Sequence, residues 1–285
     1  MIPSAFDYVR PGSVAEALGQ LAQGGEGAKL MSGGHSLLPM MKLRLAAPST
    51  LIDISALAEL QGISVGADEV VIGAATTHAQ LEHHAEVARA LPLIPAMAHL
   101  IADPPVRNRG TIGGALAHAD PSADWPAAML ALDATIDVTG PQGSRSIPAD
   151  AFFKGLFETD LALDEVLVRV RIPVVPGRRM AYRKFRHPAS GYAVAGVAVV
   201  LEFESGRCGG GRIAVTGFAE HAFRAHRAEA ALAEYAGQPD QTEHLLDLAF
   251  DGVSPLEDRF ADAGYRTQLG RTMLRRALAD AIATK

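Results

Sequence analysis

Ser32-Gly33-Gly34-His35-Ser36 and Thr111-Ile112-Gly113-Gly114-Ala115 are the two stretches on which the reading of this chain turns. Each sets a hydroxyl beside two residues that carry no Cβ, and each follows a segment of regular pattern. Backbone N–H groups brought close, with no side chain between them, suit a diphosphate. One such loop is a structural turn as readily as a binding loop. Two in one chain point to a single extended ligand held at two places.

The surroundings of the loops set the expected architecture. Lys29-Leu30-Met31 reads as a strand entering the first loop, with further strands at residues 6–9 and 51–54. Ser13 followed by Glu16 reads as a capping box opening a helix with Val14, Ala17, Leu18 and Leu21 on its apolar stripe. Residues 63–65 and 70–72 form an expected hairpin. Thr77 with Gln80 opens another helix, and residues 91–101 form a second one stopped by Pro104-Pro105. An apolar helix at 127–132 and strands at 134–139 and 166–172 follow. Pro173-Val174-Val175-Pro176-Gly177 is the linker. Beyond it come three strand-like runs at 180–185, 192–203 and 212–218, with Gly209-Gly210-Gly211 as the expected hairpin turn. Helical stretches at 224–235, 241–250 and 258–282 complete the chain.

Bulk properties exclude several functions. With 285 residues, 48% of them hydrophobic and 20% charged, the chain has room for roughly two domains and a full core. A formal net charge of −6 with no basic block argues against a nucleic-acid partner. No uninterrupted apolar run approaches the ~18 residues of a membrane span, and the first residues do not read as a signal peptide, so the expected address is the cytoplasm. Cys208 is the single cysteine, which excludes an intrachain disulfide and a four-cysteine iron–sulfur or zinc site on this chain.

Each motif has a plainer alternative. Gly34-His35-Ser36 matches the opening of a nucleophile elbow, which would make Ser36 a hydrolase nucleophile, yet Leu38 stands where that turn needs a small residue. Asp120 and Asp124 offer carboxylates to a ribose or a flavin N–H, or merely place charge at the start of the following helix. His78, Glu82 and His83 read as a solvated helix face rather than a metal site. His118 has no partner identifiable from spacing, and Lys184 read alone is a surface residue. Neither GxGxxG after a strand nor GxxxxGK[ST] occurs, which disfavours a Rossmann domain and a P-loop.

Taken together, residues 32–42, Ile72-Gly73-Ala74-Ala75-Thr76-Thr77 and Asn108-Arg109-Gly110-Thr111-Ile112-Gly113-Gly114 resemble the flavin-binding medium subunit of bacterial molybdenum hydroxylases, of the aerobic carbon monoxide dehydrogenase type. The module is similar to the flavin domain of xanthine dehydrogenase, and the resemblance covers essentially the whole chain. It implies an α+β fold: a two-subdomain FAD-binding domain of the vanillyl-alcohol-oxidase (PCMH) type over residues 1–175, dividing near residue 55. A C-terminal domain of a three-stranded antiparallel sheet with three helices follows over 178–285.

The resemblance also places FAD on Ser32, Gly33, Gly34, His35, Ser36 and Leu37, on Thr111, Ile112, Gly113, Gly114 and Ala115, and on Ile101, His118, Asp124, Leu167, Lys184 and Tyr192. Tyr192 would lie beside the isoalloxazine. Ile101 stands where xanthine dehydrogenase-type domains carry an aromatic ring, and Ala115 replaces an asparagine common there. The implied assembly is a dimer of heterotrimers, with a large molybdopterin-binding subunit and a small subunit carrying [2Fe-2S] clusters. The implied role is electron transfer from those clusters through FAD to an external acceptor. A stand-alone flavin oxidase on the same fold and a scaffold without cofactor are the alternatives beside the hydrolase.

Overall fold

The computed structural model describes residues 2–233 and 235–283. Its first layer is a three-stranded parallel sheet in which Thr50–Asp53 lies between Asp7–Val9 and Ala28–Met31. The helix Val14–Gly24 covers it, burying Val14, Ala17 and Leu21. Ser13 caps that helix by accepting from the Glu16 N–H at 3.1 Å, but the Glu16 carboxylate accepts from the N–H of Gly12 at 2.6 Å rather than from Ser13. The expected capping box is therefore half formed. At Thr77 both halves are present.

The second layer is a five-stranded antiparallel sheet in the order Ile63–Val65, Glu69–Gly73, Val166–Pro173, Thr135–Gly140, Gly143–Pro148. Short helices pack on it: His78–Glu82, Ala85–Ala90, Leu93–His99, Pro104–Arg107, Ile112–His118 and Asp124–Ala131. Every residue of Asp124–Ala131 is buried. Pro104-Pro105 does not stop the helix before it, which already ends at His99; the prolines open Pro104–Arg107, where a missing N–H costs nothing.

Arg178–Arg186, Ala193–Glu204 and Arg207–Thr216 form the long strands of the last sheet, with Phe223–Arg224 as a short fourth strand. Ala193–Glu204 is buried on both faces. Ala198 and Val200, with Met180, Tyr182 and Ala214, pack into the core that contains the Asp124–Ala131 helix. The alternate residues Val197, Val199 and Leu201 pack under His226–Ala230, Pro239–Phe250 and Ala263–Ala283. The sheet thus ties the C-terminal helices to the helix that follows the second glycine loop. Among the described residues, no helix is long and apolar enough to cross a membrane.

Gly209-Gly210-Gly211 is not the hairpin turn. All three lie inside the strand Arg207–Thr216, and the turn is made by Ser205 (φ 49°) and Gly206 (φ 80°). Two consecutive left-handed residues are what a tight hairpin requires. Glu202 pairs with Gly210 and Phe203 with Cys208, so Gly209 is the extra residue of a bulge. Gly211 meets a different need: a Cβ there would lie 2.2 Å from the Val200 carbonyl oxygen.

Candidate functional site

The strand Ala28–Met31 ends at the carboxyl edge of the parallel sheet and delivers the first glycine loop there. Gly34 has φ +74°, and the chain then enters the helix Leu37–Lys42. Among the described residues, the N–H groups of Gly33, Gly34, His35 and Ser36 have no acceptor within the chain. The second loop touches the first. A Cβ on Gly33 would stand 2.4 Å from the Arg109 carbonyl oxygen and 2.8 Å from Gly110 Cα. The hydroxyls of Ser32 and Thr111 are 3.0 Å apart.

Two loops 79 residues apart in sequence therefore close on one another, and the first presents a row of unengaged donors. Such a row suits an anion.

The second loop differs from expectation in where its own N–H groups go. Ile112 donates to the Thr76 carbonyl at 3.0 Å, Gly113 to Ala74 at 2.9 Å and Gly114 to the Thr111 hydroxyl at 3.1 Å. Gly113 is glycine because the strand end at Ala74 lies against it; a Cβ would fall 2.5 Å from Ala74 Cβ. The first loop is open, while the second is an anchor built on the antiparallel sheet. That anchor reaches Leu167 indirectly: the strand bulges between Leu167 and Arg169, and the Val168 carbonyl accepts from Ala74. Leu167 itself is a buried core residue.

Behind the loops, Asp124 is 5% exposed and occupies the first turn of its helix. One carboxylate oxygen accepts from the Tyr182 hydroxyl at 2.5 Å and the other from the Lys184 ammonium at 2.9 Å. Burial pushes the Asp124 pKa up, opposed chiefly by the Lys184 charge and the Tyr182 hydrogen bond; burial pushes Lys184 down, opposed by Asp124. Lys184 is no surface residue: its side chain is 1% exposed. Neither acidic residue caps the helix through its side chain, since Asp120 accepts from the Ser122 N–H at 2.9 Å and Ala123 is the cap residue.

Tyr182 was not singled out by its sequence context. Strand alternation was the available signal, since residues two apart share a face and Tyr182 shares that of Lys184. Gly196 makes room for it, because a Cβ there would lie 2.5 Å from the phenol oxygen.

Tyr192 brings a third segment to the same place. Its ring is partly exposed. Burial and the Asp120 carboxylate raise its pKa, while a hydrogen bond to the Ser36 hydroxyl opposes them. The turn carrying Tyr192 rests on Ile101-Ala102: a Cβ on Gly191 would lie 3.2 Å from Ala102 Cα. Arg107 donates to the Ile101 carbonyl at 3.0 Å and Arg186 to that of Ala102 at 2.8 Å, which pins this turn. Tyr192 thus links Ser36 of the first loop to the turn at Ile101-Ala102, with the Asp124 carboxylate close enough to raise its pKa. His118 is half-buried against the Phe157 ring at 5.1 Å, with the Asp120 carboxylate close enough to act on it.

His78, Glu82 and His83 do not form the solvated helix face that their spacing suggests. Only His83 is solvated. His78 is 5% exposed and accepts from the Trp125 indole N–H at 3.0 Å, and Glu82 is ion-paired with Arg107 at 2.7 Å. Burial, with the nearby His35 and Arg107 charges, lowers the His78 pKa to about 4. The folded protein therefore keeps His78 neutral where the unfolded chain begins to protonate it. Stability is full above the unfolded value and declines as pH falls toward the folded one. Going from about pH 7 to about pH 5 should cost about 2 kcal/mol through this group. Urea midpoints should show that loss in the wild type and a smaller one in His78→Gln; equal losses would remove His78 as the cause.

Ser36 has none of the strain of a nucleophile elbow: its φ of −101° and ψ of −49° are ordinary. What remains is an open row of N–H donors with a tyrosine at its edge and no strained nucleophile, the arrangement of an anion-binding subunit rather than a hydrolase.

Comparison with known proteins makes that class specific. Residues 4–175 match the family described as FAD binding domain in molybdopterin dehydrogenase, and residues 180–281 match the CO dehydrogenase flavoprotein C-terminal domain. The chain belongs to the family of FAD-binding medium subunits of molybdenum hydroxylases. It is 43% identical to the carbon monoxide dehydrogenase medium chain of Hydrogenophaga pseudoflava over 98% of this chain and 97% of that one. It is 37% identical to the 6-hydroxypseudooxynicotine dehydrogenase complex subunit alpha of Paenarthrobacter nicotinovorans, over 99% and 96%. A solved structure of the Hydrogenophaga pseudoflava carbon monoxide dehydrogenase, one lacking the Mo-pyranopterin moiety of its cofactor, superposes with a TM-score of 0.96 at 46% identity, covering 99% of both chains.

Proposed function

We propose that this chain seats FAD across its two glycine loops. In a heterotrimeric molybdenum hydroxylase it would pass electrons from iron–sulfur clusters of a small subunit to an external acceptor. The observation that carries the reading is the first loop, whose four N–H groups from Gly33 to Ser36 are unengaged while its backbone lies against Arg109 and Gly110. These donors would take the diphosphate, with the Ser32 and Thr111 hydroxyls keeping the loops together. His35, Leu37, Ile112, Gly113, Gly114, Ala115 and His118 would line or support the cofactor around them. Asp124 and Lys184 would set paired charges near the ring system, with Leu167 and Ile101 as apolar neighbours and Tyr192 beside the isoalloxazine.

When bound, the flavin exchanges electrons singly or in pairs and so joins a one-electron relay to a two-electron acceptor. This chain's own task is to bind, orient and tune it. A large molybdopterin-binding subunit would oxidise the organic substrate, in a dimer of heterotrimers. The relatives matched end to end are named as a medium chain and as a subunit of a dehydrogenase complex, which favours a subunit over a free-standing oxidase. The FAD-binding domain would span residues 1–175, with lobes dividing near residue 55, and the C-terminal domain 178–285. The cytoplasm suits a chain with one free buried cysteine.

Anaerobic addition of the organic substrate to the intact complex should bleach the iron–sulfur bands and then the flavin bands. Flavin that stays oxidised while the other centres are reduced would sink the relay.

A further inference from the structure

Arg266 lies in the first turn of the C-terminal helix Ala263–Ala283, in a part of the chain no loop motif reaches, and is 2% exposed. All three nitrogens of its guanidinium donate. Nη1 donates to the Val194 carbonyl at 2.6 Å and to the Gly217 carbonyl at 2.5 Å; Nε donates to the Leu256 carbonyl at 2.6 Å and Nη2 to the Asp258 carboxylate at 2.7 Å. The first two acceptors lie at the start of one central strand and just beyond the end of its antiparallel neighbour. A planar fork with several donors can hold two strand ends at fixed separation.

Those strand ends in turn hold the segment that leads into the site. Gly217 N–H donates to the Pro121 carbonyl at 2.7 Å, and Ala193 N–H to the Ser122 carbonyl at 3.1 Å. The Thr216 hydroxyl lies 2.9 Å from the Pro121 carbonyl and 2.6 Å from the Ala123 carbonyl, donating to this pair. All three carbonyls between Asp120 and Asp124 are clasped in this way. Gly217 permits the close packing, with φ +71° and an absent Cβ that would lie 2.4 Å from the Ala193 carbonyl oxygen.

We infer that Arg266 is a positioning residue for the flavin site: by locking the strand ends at Val194 and Gly217 it holds residues 121–123, and through them Asp120 and Asp124, in register with the loops. The inference rests on the proposed flavin site for its functional meaning, while its structural half can be tested without a flavin. Trp125, next to Asp124, is the chain's single tryptophan, 1% exposed, and reports this segment directly.

The test uses three variants of the full chain. Arg266→Lys keeps the charge, but one ammonium cannot reach all four acceptors. Thr216→Val removes the hydroxyl clasp and leaves Arg266 intact. Arg271→Gln loosens the same helix through its pairs with Asp247 and Glu243, away from the strand ends. Arg266→Lys and Thr216→Val should both shift Trp125 emission to the red, and in the assembled complex should move the flavin potential and weaken flavin retention by about three- to thirtyfold. Arg271→Gln should lower melting temperature alone.

If Arg266→Lys lowers melting temperature while Trp125 emission and flavin potential stay at wild-type values, the inference is overturned. Should Arg266→Lys not fold, Arg266→Gln is read in its place, and wild-type Trp125 emission and flavin potential in that variant overturn the inference equally. A wild-type complex without flavin would instead defeat the proposed function, with the Trp125 measurements still deciding the role of Arg266.

Discussion

Complexes carrying Gly33→Ala should purify with little or no flavin. The added methyl would meet the Arg109 carbonyl oxygen at 2.4 Å, Gly110 Cα at 2.8 Å and the Arg109 carbonyl carbon at 3.0 Å. All three are backbone atoms, so no flexible side chain can turn aside, and one loop must move away from the other. Movement strains the Ser32–Thr111 contact of 3.0 Å and displaces the N–H row that the proposed diphosphate would use. Overpacking alone costs about 1–3 kcal/mol. Misaligning two charge-assisted hydrogen bonds adds about 3 kcal/mol to flavin dissociation, or about a hundredfold in affinity.

Gly19→Ala is the control, because its Cβ would meet nothing within 4 Å and alanine favours a helix. Flavin released on denaturation, counted per copy of this chain, is the readout. Full occupancy in Gly33→Ala would show that loop contact does not set the cradle.

The second large effect is expected at Asp124. Removing this carboxylate leaves the Lys184 ammonium, 1% exposed, without its counter-charge and the Tyr182 hydroxyl without its acceptor. Breaking one side of a buried pair costs about 3–5 kcal/mol. In a chain of this size that is about 10 °C in melting temperature. The pKa directions sharpen the argument. Burial raises Asp124 and lowers Lys184, so each charge is held against its solvation preference and the intact pair is no great source of stability. Its expected role is therefore to place charge at the proposed flavin site.

Asp124→Leu with Lys184→Met should accordingly recover most of the melting temperature lost in Asp124→Asn, yet neither variant should restore the flavin's wild-type potential. Recovery of both together would reduce the pair to packing.

The parts of the fold that were legible in the sequence are those where local pattern and tertiary role agree. Lys29-Leu30-Met31 reads as a strand running into the loop and lies in one; Thr77 and Gln80 form the capping box their spacing announces. The two glycine loops were readable as a pair, but not that one is open and the other an anchor. That difference depends on Ala74 and Thr76, which arrive from another strand end. Gly209-Gly210-Gly211 misled because glycine serves both turns and bulges, and the register of the neighbouring strand decides which.

His78 read as solvated because helical spacing says which residues share a face, not what that face meets; Trp125, 47 residues away, makes it a buried acceptor. Lys184 read alone as exposed for the same reason, since a carboxylate 60 residues earlier in the chain supplies its partner.

The flavin content of the native complex, purified through its partner subunits and denatured to release cofactor, decides whether this chain seats FAD on its first glycine loop. FAD should be found, one per copy of this chain, lost in Gly33→Ala and kept in Gly19→Ala. A fully assembled, active complex with no FAD, or with FAD indifferent to Gly33, would contradict it.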